Sequence, residues 1–526
     1  MSDQQRMLLA AVLMAVVLFV SWTLTDRGGD EDSGPAPVRQ RTVAQPPPDT
    51  TVTVPAPPPD TTVAVRDTIP EGAGEGSVTV MVMDSAGVDT LVSARLDMLG
   101  GGIGRWELHR FRNLTNGRGP RIDLGSQGIL PVVQDGDMVP FVCTGPDTLR
   151  VGPGSASVRL EGPGGGWRQY TFHAGSYAFD VEQQGIPSGL RIPAGAVPVS
   201  EEGVNPGDYF RAVWRRAGDL EDEKSTDLEG ATEYDEVDWG GVKSKYFAIL
   251  IINTSEEEDI VFDPADNRSP AATIIVDRAR VYAGPVGYER LQSLGIGAEH
   301  MVDFGWPIIR WIGRIIFWVI SVPLSFIGNW GVRIIILTAI LKTLLWPLTT
   351  KSFTSMQKMK EVQPRLKQLQ EKYKSDPKRQ QMEMQKLYKE EGVNPLGGCF
   401  PLLLQMPFFF AMYRVLSNMV ELRGADFILW IDDLSRPEIL LPFGGSMLGL
   451  EGIGLLALLM GVSMFIQQKM SVSDPSQKAM VYVMPIFMTW LFMRFPAGLT
   501  LYWFVNNLLT IGQQELIKKR LEKASG

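Results

Sequence analysis

Cysteine and histidine are almost missing from this 526-residue chain, which holds only Cys143 and Cys399, and only His109, His173 and His300. With no CxxC and no ligand-like spacing, neither a disulfide framework nor a metal site is expected. Phosphate-binding loops are missing too. No G-x-x-x-x-G-K-[ST] occurs, and residues 100–104 (GGGIG) do not complete G-x-G-x-x-G, so no nucleotide, cofactor or ATP use is expected. No histidine follows His300, and the apolar runs beyond it hold no paired aspartates and no H-E-x-x-H. That leaves no catalytic residue to name, and the chain is not expected to be an enzyme. Carboxylates are also scarce where proton-coupled transport would want them: Glu451 and Glu515 lie at the ends of apolar runs.

What is present is unevenly distributed. Residues 26–299 carry 42 Asp and Glu against 24 Lys and Arg, a net of −18, whereas the remainder carries 17 against 26, a net of +9; together they make the −9 of the whole chain. Opposite signs suggest opposite sides of a membrane.

Residues 1–25 contain an uncharged apolar run preceded by Arg6 and followed by Asp26, of about the length that crosses a bilayer. It is expected to be a retained anchor; a cleaved signal peptide is the alternative, but the run exceeds an h-region and lacks an A-x-A site. Residues 26–70 are rich in Pro, Asp and Thr, with PPPDTTV occurring twice, and such composition predicts a disordered, extended linker. Within 71–300, β-branched and aromatic segments at 77–84, 167–182, 245–255 and 273–285, punctuated by Gly and Pro, predict a large antiparallel β-sandwich. The acid-rich stretch 219–238, with ten acids and one lysine, is expected to be a solvated loop, with no EF-hand spacing.

Long apolar runs then predict spans at 328–349, 396–420, 452–469, 480–495 and 497–517, for a total of six with the anchor. The stretch 350–395 holds 11 Lys and Arg against 6 acids within residues 349–395, and the positive-inside rule puts it in the cytoplasm. Its periodicity predicts a two-helix hairpin breaking at 375–377, with Met356, Met359, Val362, Leu366 and Leu369 on one stripe and Met382, Leu387 and Tyr388 on the other. The basic faces suit either solvent and headgroups or a partner. If both termini are cytoplasmic and residues 26–300 lie outside, only one crossing can separate residue 300 from 349. Residues 301–327, apolar but carrying Arg310 and Arg314 a turn apart, are therefore expected to lie as an amphipathic helix on the outer surface. Residues 421–451 form an outer loop, and 518–526 a basic inner tail.

One cation remains inside the spans. Lys342 sits about 18 Å along the helix axis from Trp330 and about 9 Å from Leu348, in the inner half of the bilayer. An isolated charge there costs roughly 2.5–3.5 kcal/mol or more. Thr338 lies one turn away, and Gln405, Asn506 and Asn507 bring polar groups to similar depth on other spans. Two readings fit: a hydrophilic cavity open to the cytoplasm, or a lysine snorkelling to the inner interface. Arg414, near the outer end of its run, is expected to snorkel. Sixteen of 23 methionines follow residue 300, suiting either an adaptable apolar surface or ordinary packing.

Several segments carry a resemblance: FIGNWGVRI (326–334), WPLTTKSFTSMQKMKEVQP (346–364), NPLGGCFPLLLQMP (394–407), ELRGADFILWIDDLS (421–435) and FPAGLTLYWFVNNLLTIGQQ (495–514). On these motifs the chain resembles the YidC/Oxa/Alb family of membrane protein insertases, in its Gram-negative form. The resemblance implies a multi-domain protein of the bacterial inner membrane. Five of the six transmembrane helices would form a polytopic α-helical core around a groove open to cytoplasm and lipid, and the periplasmic domain would be an antiparallel β-supersandwich. It implies insertion and chaperoning of membrane proteins, alone or with the Sec translocon. The implied partners are nascent membrane proteins, membrane lipids and the ribosome, the last met by the cytoplasmic hairpin and basic tail. By position, Lys342 takes the place of the groove cation and Thr338 that of a nearby hydroxyl, Met406 and Phe409 fall on the client-contacting third span, and Trp503 stands where tyrosine is common. The family's groove cation is usually Arg. Lys keeps the charge and loses the planar five-donor fork. Two other classes compete: a solute transporter or channel, which would want inverted repeats and a through path, and a membrane-anchored carbohydrate-binding β-sandwich, which would want clustered acids and histidines on strands.

Overall fold

A computed structural model describes residues 41–42, 74–112, 120–134, 137–186, 189–193, 196, 210–228, 230–253, 258–263, 271–393, 400–447, 450–471 and 478–525. The anchor at 1–25, almost all of the linker at 26–70 and residues 394–399 lie outside the described residues. The chain divides into two compact units, Leu9–Val302 and, chiefly, Asp303–Gly526.

The first unit is built on two sheets. In the thirteen-stranded sheet the central order is Thr232–Lys243, Phe247–Asn253, Arg278–Pro285, Ala178–Gln184, Trp167–His173, Ser155–Glu161, all antiparallel. In the five-stranded sheet, Ser77–Met83 pairs in parallel with Thr148–Val151, the exception to the antiparallel expectation. Alternating burial along Trp167–His173 (WRQYTFH) is what a sheet with one face inward requires. The inward Phe172, with Phe179, meets Trp106 of the smaller sheet, and Tyr170 packs on both phenylalanines, with ring centroids 5.0–6.3 Å apart throughout the cluster. Trp106 Nε1 donates to the Ala283 carbonyl at 2.8 Å, tying one sheet to the other. The expected segments 167–182 and 273–285 each resolve into two strands, broken where the chain turns. The acid-rich stretch is not a loop. Asp219–Lys224 and Thr232–Lys243 are strands on either side of Arg211–Arg216, because three arginines in that strand face the acids across the ladder, Arg211 pairing with Asp222 and Arg215 with Asp238.

The second unit is helical: α1 (Pro307–Ser321), α2 (Trp330–Leu344), α3 (Trp346–Lys372), α4 (Pro377–Glu390), α5 (Phe400–Asn418), α6 (Leu455–Ser471), α7 (Lys478–Phe492) and α8 (Ala497–Ser525). α1 buries Gly313, Ile316, Phe317 and Ile320 and leaves Trp306, Ile308, Trp311, Ile315 and Trp318 exposed beside Arg310 and Arg314. The Arg414 guanidinium pairs with Asp303 at 2.8 Å, and Asn418 donates to the Asp303 carbonyl, which pins the start of this unit to α5.

α2 is started by Asn329, whose side chain accepts from the Val332 N–H, and it ends at Leu344, capped by Leu345, because Pro347 has no N–H for the Thr343 carbonyl four residues back and its ring would clash with it. α3 leaves at 65°. The hairpin turn at 373–376 falls where Pro377 and the Asp376 cap begin a new helix, as expected. Leu387 and Tyr388 are half-buried, as the expected stripe has them, but its methionine is the buried Met384 and not Met382, which is 63% exposed. α6 begins at Leu455, later than expected, since residues 450–453 form a strand paired with Leu441–Met447. The Glu438 carboxylate accepts from the Leu455 and Leu456 N–H groups and so neutralises the positive helix end.

Among the described residues no single helix is long and apolar enough to cross a membrane; α2 with α3 passes only as a bent pair, and α6 is apolar but short. The longest, α8, has 29 residues and a polar stripe that dilutes its apolar character. A count of six spans is therefore not supported by the helices themselves.

Candidate functional site

The polar residues of α8 fall into one stripe. Asn506, Asn507, Thr510, Gln513 and Gln514 recur at helical spacing, and all are at least nine-tenths buried. Burial of so many polar groups needs partners, and α2, α3 and α6 supply them. Asn507 donates to the Ser463 hydroxyl at 3.0 Å, and Gln514 to that of Ser471 at 2.9 Å. Gln513 donates at 2.7 Å to the Thr349 hydroxyl and reaches the Trp346 carbonyl at 3.4 Å, clasping the break between α2 and α3. The side-chain carbonyl oxygens of Gln513 and Gln514 are buried with no hydrogen-bond partner among the described residues. They are buried acceptors left unsatisfied within the stripe.

Lys342 enters the middle of this stripe. It is 9% exposed, and its ammonium donates to Thr510 Oγ1 at 2.6 Å and to Asn506 Oδ1 at 3.3 Å. Both partners are neutral, so the positive charge is solvated by dipoles and not cancelled by a carboxylate. The Thr338 hydroxyl, 1% exposed, donates to the Ile334 carbonyl at 2.7 Å on the same face of α2.

Towards the start of α8 the stripe ends in aromatic rings. Trp503 stands edge-on to Phe409 at 4.9 Å and 5.2 Å from Phe492. Gln405, half-buried, hydrogen-bonds the hydroxyl of the buried Tyr502. Of the residues expected from the sequence, Lys342 and Asn506 touch, Thr338 lies a turn away, Phe409 and Trp503 pair at the aromatic end, and Gln405 and half-buried Met406 are carried by α5. From Trp503 to Gln514 the stripe runs about 16 Å along the axis.

Sequence reasoning missed Thr510, Gln513 and Gln514, although their three- and four-residue spacing from Asn506 was the available signal. It also missed Arg333, a second buried cation on α2, which donates to the carbonyls of Ile327 (2.6 Å), Ser325 (3.1 Å) and Ile320 (3.4 Å) and lies 4.1 Å over the Trp330 ring. A cleft of about 420 Å³ at that end of α2, lined by Asn329, Trp330, Arg423 and Asp426 among others, holds none of the stripe residues.

Residues 323–524 match the family model described as 60Kd inner membrane protein, and residues 88–319 match that described as YidC periplasmic domain. The chain is similar to the membrane protein insertase YidC of Pelobacter propionicus, 41% identical over 319 residues, covering 57% of this chain and 58% of that one, less than two thirds of its length. It is 29% identical to the membrane protein insertase YidC of Maridesulfovibrio salexigens over 99% of this chain and 100% of that one. A solved structure described as active YidC insertase with the first transmembrane domain resolved covers 83% of this chain and 92% of its own, at 18% identity and a TM-score of 0.38.

Proposed function

Because this chain belongs to the YidC family of membrane protein insertases, we propose that it inserts and folds inner-membrane proteins by taking the polar flank of a client into the stripe between α2 and α8. The observation that carries this reading is Lys342: a buried cation held only by neutral oxygens, continuous with buried acceptors along α8. Such a seam suits a polar segment in transit, since it lowers the cost of bringing peptide groups and charges into the hydrocarbon layer. The hydrophobic part of the client would slide along the apolar surfaces of α5 and α6 into lipid.

In this reading residues 26–300 are periplasmic, both termini are cytoplasmic, and six segments cross the membrane with help from the α2–α3 bend. The groove residues are Lys342, Thr338, Gln405, Met406, Phe409, Trp503 and Asn506. The partners are nascent membrane proteins, with or without the Sec translocon, the ribosome at α3, α4 and the basic tail, and lipid at α1. The aromatic end formed by Trp503, Phe409 and Phe492 argues against a through channel. Complementation tests the proposal. In a bacterium depleted of its own insertase, the full chain is expected to restore insertion of a small single-span client, and so is the chain without residues 70–300. Rescue by neither form would contradict the insertase reading, and rescue by the full chain alone would make the β-unit part of the machinery.

A further inference from the structure

Resting on that reading, the geometry points to Asn506 and Thr510 as the positioning residues of the groove cation, leaving one N–H of Lys342 to hold an acidic flank of the client. The hydrogen-bond directions are forced. The Thr510 hydroxyl donates its proton to the Asn506 carbonyl at 2.6 Å, so towards Lys342 it can only accept. An ammonium has three donors and no acceptor, so the Asn506 side chain must present its oxygen. Two of the three N–H groups are thereby taken, and the third has no protein partner among the described residues.

The tether answers a problem specific to lysine. An arginine here would grip a carboxylate through a planar fork whose direction is built into the guanidinium. A lysine ammonium is a point charge on a flexible stem, free to swing towards the headgroups. Asn506 and Thr510, one turn apart on the same face of α8, hold it in the stripe with two acceptors. They do for lysine what the fork does for arginine, and the contact left to a client is a single charged hydrogen bond.

The test uses the full chain in lipid vesicles and two single-span clients that differ only in two flanking residues, Asp in one and Asn in the other. The readout is the ratio of their insertion rates below saturation, with Lys342→Met defining the ratio without a cation. Thr510→Val is expected to lower the ratio about fivefold towards the Lys342→Met value, Thr510→Ser to preserve it, and Asn506→Asp to abolish it, because the new carboxylate takes the ammonium. Adding Lys342→Arg to Thr510→Val is expected to restore the ratio, since the fork needs no tether. Loss of both clients by the same factor in Thr510→Val, or no preference for the Asp client in the wild type, would overturn the inference. Insertion of neither client by the wild type would overturn the insertase reading instead.

Discussion

Arg333 and Lys342 are both buried cations on α2, two and a half turns apart, and their surroundings give them different work. The Arg333 fork is taken up by three carbonyls around the end of α1, where a positive charge also meets the negative end of that helix. It is a corner brace. Arg333→Ala is expected to destabilise the helical unit by about 2 kcal/mol, as lost charged hydrogen bonds would, and thermal unfolding of the purified chain checks this. His109, in the β-unit, gives a pH prediction. Arg121 is a donor only, and it points at His109 Nε2 at 3.1 Å, as does the Ser93 hydroxyl at 2.7 Å, so that nitrogen accepts and the ring is neutral. Burial and the Arg121 charge lower its proton affinity in the folded state. The unfolded state then binds the proton more readily, so stability is full above the unfolded pKa of about 6.5 and declines as pH falls below it. His109→Gln, which keeps an acceptor, should flatten the melting temperature between pH 5 and 8; an unchanged profile would refute the assignment. Lys342 was legible in the sequence because a charge inside an apolar run has few explanations. Thr510 and Gln513 were not, since a lone polar residue on a helix says nothing of what faces it.

Among the elements, the α2–α3 break is where sequence and packing meet most directly. Pro347 dictates a stop, but the 65° bend is held by Gln513 from α8 through Thr349 and the Trp346 carbonyl. Gln513→Ala is expected to leave α8 intact and to quicken amide exchange at residues 346–350, read by hydrogen exchange of the reconstituted chain. The start of α2 is set by a close approach: a Cβ at Gly331 would stand 2.1 Å from the Phe427 ring. Gly331→Leu should therefore lower expression and melting temperature together. The helical hairpin and the amphipathic α1 were readable from period and breaker residues. Which methionine of α4 turns inward was not, because Met382 and Met384 are equally apolar and only the partner helix decides between them. The strands at 219–224 and 232–243 were hidden by their acids, whose opposing arginines come from a different strand.

At the scale of the molecule, the charge split at residue 300 anticipated two units of different chemistry, and the family motifs at 326–514 fall within the matched model. Alternation along strands made the sandwich legible, whereas its thirteen-strand order, set by long-range pairing, was not. The number of spans was the least legible feature. Hydropathy cannot separate an apolar helix from a half-span of a bent pair, and in α8 the buried polar stripe works against the apolar signal while carrying the candidate site. Under the proposed function a client's polar flank passes a positive, neutral-walled seam between α2 and α8. The most direct measurement is insertion of an acid-flanked single-span client into vesicles by the wild type and by Lys342→Glu. A fall of about tenfold is expected from reversing the charge at a buried site; full insertion by Lys342→Glu would contradict the account.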